Sequence, residues 1–329
     1  MEKIIRIGIL GCANIAKRSI IPAILGLKDH FDLAGIASRN FSKAGVFAEL
    51  FNTRAIEGYH NLIGLPGLEA VYIPLPNSLH REWVEKALLR NLHVLVEKSL
   101  ACEFDDAKYL NELAAEKGLV LVENFQFRFH KQLQSIIGYV NQGKIGELRC
   151  LRSSFGFPGL ADPNDIRYQK SLGGGALLDT GAYPLKISQL FLGDEIEVKA
   201  ASLNTPPNKE VDITGGAFVK QKNGELFGEL AFGFDNYYQC NLELWGSRGK
   251  IYTNRIFTAH KDYEPVIEIE TREGRESLQL PADDHFKNML KHFYHLIHTP
   301  NPENLNNEYL QNINQARLIH EVKQKANEK

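Results

Sequence analysis

The first 123 residues alternate short apolar runs with stretches of helical periodicity. Ile4–Leu10 reads as a buried strand, and Ile15–Leu27 as a helix in which Ile15, Ile20, Ile21 and Ile24 recur at helical spacing. Leu33–Ala37 follows as a second strand, and Ser42–Phe51 as a helix with Ser42 placed to cap it. Ala70–Ile73, His93–Val96 and Leu119–Val122 are further short strands, with helices over Leu79–Leu89 and Phe104–Lys117 between them. Strands alternating with helices of this length predict βαβ units and a doubly wound parallel sheet. After Asn124 the rhythm changes. Strands over Gly146–Gly156, Glu195–Thr205, Ile213–Lys220, Glu225–Phe234, Tyr237–Trp245 and Val266–Thr271 surround one helix, Ala176–Leu192, with turn signals such as Lys222-Asn223-Gly224 joining them. Helices over Asp284–His298 and Asn306–Gln324 close the chain. The pattern predicts a Rossmann domain over residues 1–123 and an α+β domain over 124–329 on a mostly antiparallel sheet, the terminal helices being able to pack back on the first domain.

Composition narrows the function classes. Lys+Arg 38 against Asp+Glu 40 gives a net charge of −2, which argues against a surface built to neutralise nucleic-acid phosphates. It leaves room for a pocket holding one phosphorylated small molecule. No apolar run approaches the roughly 18 residues of a membrane span. The opening Met1-Glu2-Lys3, followed at once by the first strand, has no signal-peptide pattern, so a soluble cytoplasmic protein is expected. Cys12, Cys102, Cys150 and Cys240 are far apart and form neither a disulfide framework nor a zinc pattern.

Gly11-Cys12-Ala13-Asn14-Ile15-Ala16 ends the first strand and opens the first helix, a G-x-G-x-x-G/A pattern with Ala13 at the second position. Small residues there let backbone N–H groups of Gly11, Ala13, Asn14 and Ile15 approach a pyrophosphate, whose charge the helix dipole favours. The second strand ends at Ala37-Ser38-Arg39. A carboxylate here would hold the ribose hydroxyl of NAD; Arg39, with Ser38 and Lys43, suits the 2′-phosphate of NADP instead.

Three segments fall at the carboxyl ends of later strands, where open α/β sheets bind ligands. Leu75, Pro76, Asn77 and His80 belong to the first, Glu97 and Lys98 to the second, and Arg128 to the Asn124–His130 stretch. In the second half, Gly173-Gly174-Gly175 precedes Asp179 and Tyr183, which share a face if the segment is helical, although Pro184 would break or kink that helix. His292, His295 and His298 rotate round one helix with no carboxylate or cysteine cluster, so no metal site is expected. Phe125, Phe127 and Phe129 at period two read as one face of a strand.

Taken in order, GILGCANIA, ASR, YIPLPNSLH, VEKS, FRFH, GGGALLDTGAYPL and the later LWGSRGK resemble the Gfo/Idh/MocA family of NAD(P)-dependent oxidoreductases over the whole chain. Tyr183, where many relatives carry His, and the Asp162–Tyr168 segment are similar to the subgroup holding sugar-nucleotide 3-ketoreductases, glucose-fructose oxidoreductase and dimeric dihydrodiol dehydrogenase. Ser99 departs from the family's usual Glu-Lys-Pro. The resemblance implies a Rossmann domain followed by an open-faced sheet, NADP(H) as cofactor, and hydride transfer with Tyr183 as acid/base. A free tyrosine has a pKa near ~10, so a nearby ammonium is needed to favour its charged form, and Lys98 is the candidate. The resemblance further implies that Asp179 orients a substrate hydroxyl, with Arg128 nearby, and that Arg167 contacts the cofactor's nicotinamide end or the substrate.

The expected substrate is a sugar or sugar-nucleotide, with a free-sugar or trans-dihydrodiol dehydrogenase as the alternative. Readings from other classes are an NAD-dependent glycosidase and a non-catalytic NADP-binding regulator. A homodimer or homotetramer is expected through the open sheet, where Phe218, Phe227, Phe232 and Tyr238 would otherwise leave apolar area in water.

Overall fold

A computed structural model describes residues 3–328. They form two compact units, one comprising the chain up to Asn124 with Phe286–Ile313, the other Phe125–His285 with the chain from Asn314 on.

The first unit is wound around six parallel strands. In chain order they are β1 (Ile5–Leu10), β2 (Phe31–Ser38), β3 (Ala55–Glu57), β4 (Ala70–Ile73), β5 (His93–Glu97) and β6 (Leu121–Asn124), and they lie side by side as β3-β2-β1-β4-β5-β6. All pairings are parallel. The apolar runs legible in the sequence are buried on both faces: Ile7, Ile9, Val71, Tyr72, Val94 and Leu95 are all at 0% exposure. The crossovers are a helical run through Ala16–Ile20 that continues as α1 (Ile21–Leu25), then α2 (Phe41–Phe51), α3 (Tyr59–Ile63), α4 (Asn77–Leu89) and α5 (Phe104–Lys117). Strand order reverses between β1 and β4, so their carboxyl ends diverge into loops above and below the sheet and open a crevice.

Three local expectations are corrected here. α2 starts at Phe41 and is capped by Asn40, whose Oδ1 accepts from the Lys43 N–H at 3.2 Å; Ser42 already lies inside the helix. β3 and α3 escaped the periodicity because Ile56 is the single buried residue of a three-residue edge strand. Phe125, Phe127 and Phe129 are not a strand face, since β6 stops at Asn124 and a 3₁₀ turn, Gln126–Phe129, follows.

The second unit holds an eight-stranded sheet. Its strands are β7 (Leu148–Phe157), β8 (Ile196–Asn204), β9 (Thr214–Gln221), β10 (Phe227–Phe234), β11 (Gln239–Gly246), β12 (Gly249–Asn254), β13 (Val266–Thr271) and β14 (Gly274–Gln279). They are ordered β14-β13-β12-β11-β7-β10-β9-β8, antiparallel except where β10 joins β7. α6 (Lys131–Asn141) precedes β7, and α7 (Ala182–Leu192) lies against β7, β9 and β10. β12 and β14 went unread because β12 follows a polar turn without a pause and β14 is an exposed edge strand with one half-buried position, Leu278.

Period two sorts the sheet into a helix-covered face and an open one. Phe232 belongs to the covered face, 4% exposed under Gly181, and Tyr238 lies before β11 with its hydroxyl on Thr258 at 2.7 Å; neither is on the open face as expected. The open face presents Phe218 against Phe227, with ring centroids 5.3 Å apart, and Arg152 bridging Glu229 and Glu243 beside Trp245. α8 (His285–His298) and α9 (Pro302–Asn327) end the chain. Among the described residues no helix is long and apolar enough to cross a membrane.

Two glycines test how tightly these elements are set. Where β11 shifts register at Gly246, an added Cβ would sit 2.2 Å from the Ile145 carbonyl oxygen, whereas at Gly45 in α2 it would meet nothing within 4 Å. Gly246→Ala is expected to destabilise by about 1–3 kcal/mol, and Gly45→Ala to stabilise by about 0.5–1 kcal/mol. Opposite shifts of the denaturant midpoint check both.

Candidate active site

The glycine turn is built as its sequence requires. Gly11 follows β1 with φ +126°, and its N–H donates to the Ala37 carbonyl at 2.9 Å. A Cβ there would lie 2.9 Å from Leu75 Cδ2, so Leu75 would have to shift, and the backbone conformation itself disfavours any side chain. The turn after β1 and the loop after β4 therefore meet at the switch point. Ala13, Asn14 and Ile15 lead into the helix, where Ala13 accepts from the Lys17 N–H at 3.1 Å; Asn14 is exposed and no acidic residue occupies the first turn. That end is thus open and favourable to an anion.

Beside it, Ser38 is buried, its Oγ accepting from the Asn40 N–H at 3.2 Å. Arg39 is exposed and hydrogen-bonds the Tyr59 hydroxyl. Tyr59 is buried at the start of α3, its ring centroid 5.0 Å from that of Trp83 in an edge-to-face contact; burial raises its pKa above the ordinary phenol value and the Arg39 charge opposes this. Sequence reasoning missed Tyr59, and its only signal was Gly58, whose φ of +75° opens α3. Lys43 is exposed, and its carbonyl receives the Cys12 thiol at 3.7 Å; burial pushes that thiol up. The residues present fit a dinucleotide with a phosphorylated ribose: a bare turn, an open helix end, and Ser38-Arg39 in place of a carboxylate.

The loops after β4 and β5 carry the rest. Leu75 is buried, and Pro76 and Asn77, both half-buried, start α4. Glu97 ends β5 and accepts from the Tyr72 hydroxyl at 2.5 Å and the Asn124 side-chain amide at 2.6 Å; burial nevertheless raises its pKa. Lys98 is half-buried, and the Lys98–Ser99 peptide is cis. His80 differs from expectation. Its ring is wholly enclosed, with Nδ1 2.8 Å from the Ser99 carbonyl and Nε2 2.8 Å from the Leu75 carbonyl, so it ties two loops together and is not open to a cofactor. Burial first, and the Lys98 charge in addition, hold it down to about 4.

In the second unit two of the three glycines closely face a neighbour. Gly174 faces the Arg167 carbonyl, where a Cβ would lie at 2.5 Å, and Gly175, φ +114°, faces Asp212. Asp212 caps the helix that follows: its carbonyl accepts from the Ala176 N–H at 2.9 Å and its carboxylate from Leu177 at 2.6 Å. That helix runs first as a wide π turn, Leu177–Gly181, and then as α7 without a break at Pro184. Pro184 falls in the first turn of α7, where a missing N–H costs least, and the wide turn before it absorbs the misfit. Tyr183 is 9% exposed in a socket of aromatic rings, with centroids of Phe125, Phe127, Phe155 and Phe257 at 5.6, 5.9, 5.1 and 5.3 Å. Asp179, four residues earlier, accepts from Arg167 Nε at 2.7 Å, and Arg167 also pairs with Asp165 at 3.2 Å. The Asp179 charge raises the Arg167 pKa, and the guanidinium is shared between the two carboxylates. Arg128, half-buried in the 3₁₀ turn, lies over the Phe129 ring at 5.2 Å. In the late helix, His292 meets Glu308 at 2.9 Å, and the His298 ring lies tilted against that of Tyr294 with centroids 4.2 Å apart.

A glycine turn at the switch point of a Rossmann sheet, followed by a mostly antiparallel sheet, defines an NAD(P)-dependent oxidoreductase architecture. The chain belongs to the Gfo/Idh/MocA oxidoreductase family: residues 5–125 match its NAD-binding Rossmann fold and residues 133–252 its C-terminal domain. It is 39% identical over 289 residues, 88% of this chain and 86% of the relative, to a dTDP-3,4-didehydro-2,6-dideoxy-alpha-D-glucose 3-reductase from Actinomadura kijaniata. It is 36% identical to the enzyme of that name from Streptomyces antibioticus, covering 97% of this chain and 96% of the relative. The crystal structure of a 3-ketoreductase from Actinomadura kijaniata in complex with NADP and TDP-benzene matches with a TM-score of 0.92 at 37% identity, covering 98% of both chains.

Buried neutral histidines make acid the expected route of unfolding. His80 and His93 are held to about 4 and His285 to about 3, in each case chiefly by burial. Below the ordinary value of about 6.5 the unfolded chain binds protons that the folded one refuses, so stability falls as pH drops from there towards 4. Each such group contributes a slope of up to about 1.4 kcal/mol per pH unit. His80→Gln is expected to flatten the dependence of unfolding free energy on pH between about 6 and 4.5 by close to one proton, read from urea titrations at several pH values.

Proposed function

We propose that the protein is an NADP-dependent ketoreductase interconverting a ring carbonyl and hydroxyl on a nucleotide-linked sugar. The cofactor half of this reading is carried by the bare turn at Gly11 beside Ser38 and Arg39. The substrate half is supported by the near full-length similarity to sugar-nucleotide 3-reductases.

In this reading the N–H groups at Gly11, Ala13, Asn14 and Ile15 hold the pyrophosphate. Ser38, Arg39 and Lys43 hold the ribose phosphate, with Arg39 aimed by Tyr59. Leu75, Pro76, Asn77 and Glu97 line the crevice. NADP(H), when bound, gives or takes the hydride at its nicotinamide ring. Tyr183 gives a proton to the carbonyl oxygen in reduction and takes it back in oxidation, its ring fixed by the aromatic socket. Lys98 supplies the positive charge that favours the ionised tyrosine and steadies negative charge on the substrate oxygen. Asp179, oriented by Arg167, and Arg128 bind the sugar. A cytoplasmic homo-oligomer formed through the open face, where Phe218, Phe227 and Trp245 lie, completes the reading.

The decisive assay is spectrophotometric. Net NADPH consumption with a nucleotide-linked keto sugar supports the reductase; sugar release without net cofactor change, or neither signal, refutes it in favour of a glycosidase or a regulator. Tyr183→Phe is expected to bind NADPH like the parent while losing about 10²-fold or more in kcat; parental turnover would remove Tyr183 from the chemistry. Arg39→Ala is expected to weaken NADPH about tenfold or more, with NADH little changed. Equal losses for the two cofactors, measured by fluorescence titration, would remove the phosphate contact.

A further inference from the structure

In the second unit, the turn after β12 joins the Tyr183 socket to an arginine at the surface. Phe257 is fully buried with its ring centroid 5.3 Å from that of Tyr183, and its N–H donates to Cys240 Sγ at 3.4 Å. Two residues earlier, Arg255 is exposed with φ +52°, the turn being closed by the Thr258 N–H on the Arg255 carbonyl at 3.3 Å. Its guanidinium carbon lies 5.1 Å from the ring centroid of Tyr238 and 5.7 Å from that of Tyr263. Tyr238 is itself held by its bond to Thr258 at 2.7 Å. The guanidinium is thus fixed by two rings, yet it has no ion-pair partner among the described residues. Holding a cation in place on aromatic faces without neutralising it leaves its fork of N–H donors directed at something else.

We propose that Arg255 binds the diphosphate of the nucleoside-diphosphate sugar, an inference that rests on the ketoreductase reading above. Two residues of chain span at most about 7 Å, so the backbone of Arg255 stands close to that of Phe257, whose ring packs on Tyr183. In a nucleotide-linked sugar the diphosphate begins one glycosidic oxygen from the ring, which is the separation such an arrangement serves. A planar fork on a diphosphate gives paired, charge-assisted hydrogen bonds. Another ring-supported cation of this unit suits an anion less well. Lys209 lies 4.3 Å over Tyr168, but Tyr168 follows Arg167, which is shared between the carboxylates of Asp165 and Asp179.

The test uses the whole protein and thymidine diphosphate as probe, with binding measured by calorimetry in the presence of NADP and KM measured for the nucleotide-linked keto sugar. Arg255→Ala is expected to weaken thymidine diphosphate about tenfold or more and to raise the substrate KM by a similar factor. Arg255→Lys, which keeps the charge and loses the fork, should recover part of both. Thymidine, which lacks phosphates, should bind parent and variants alike, and Lys209→Ala should keep the parental affinity for the diphosphate. Parental affinity in Arg255→Ala, or the loss appearing at Lys209→Ala instead, would overturn the assignment. A parent protein that binds no thymidine diphosphate would overturn the nucleotide-sugar reading itself, which separates the two failures.

Discussion

At the switch point of the parallel sheet, the bare backbone of Gly11 rests against Leu75. The contact exists because β1 and β4 are neighbours whose following chains leave on opposite sides, and it is closest while position 11 carries no side chain. With that approach made, the helix after β1 points its open end into the crevice, and the loop after β4 is fixed beside it. His80 then carries the constraint onward, since one imidazole touches the carbonyls of Leu75 and Ser99. A neutral imidazole has a single N–H for these two acceptors. Burial opposes the charged form that could satisfy both, so the loops are held by a compromise between hydrogen bonding and desolvation. The turn that carries Lys98 is thereby linked through Leu75 to the glycine turn.

In the second unit, buried polar groups do the corresponding work around α7. Asp212 closes the N-terminus of the helical run with its carbonyl and its carboxylate, and Gly175 leaves the space that carboxylate needs. The wide turn that follows lets the chain pass Pro184 and still seat Tyr183 among four aromatic rings. A tyrosine so enclosed has few rotamers open to it.

Much of this was legible in the chain because burial on both faces writes itself as uninterrupted apolar runs. β1, β4 and β5 stand almost where Ile4–Leu10, Ala70–Ile73 and His93–Val96 placed them. What escaped were elements that are short or exposed: β3 with Ile56, the edge strand β14, and the five-residue α3, whose first residue hydrogen-bonds Arg39. The phenylalanines after Asn124 misled because period two occurs by chance over five residues; in the structure Phe125 and Phe127 serve the Tyr183 socket from a 3₁₀ turn. Phe232 was misassigned for a related reason, since a strand's inner and outer faces look alike in sequence when both carry aromatic residues. The family resemblance could name Arg167 and Asp179 but not that they are bound to each other, because that pairing depends on Gly174 letting the segment fold back on the Arg167 carbonyl.

Charge compensation separates the cations of this protein by purpose. Arg167 lies between two carboxylates and Arg152 between two others, so each has its field cancelled locally and acts as a brace. Arg39 and Arg255 are supported differently. Each is steadied by tyrosine, Arg39 at the hydroxyl of Tyr59 and Arg255 at the faces of Tyr238 and Tyr263, and neither has an ion-pair partner among the described residues. A tyrosine restrains a guanidinium without neutralising it, so the side chain loses conformational freedom before a ligand arrives while its charge remains available. Net charge near zero is therefore compatible with strong anion recognition. The acidic and basic residues cancel across the chain as a whole, while two arginines placed against phenols keep their charge.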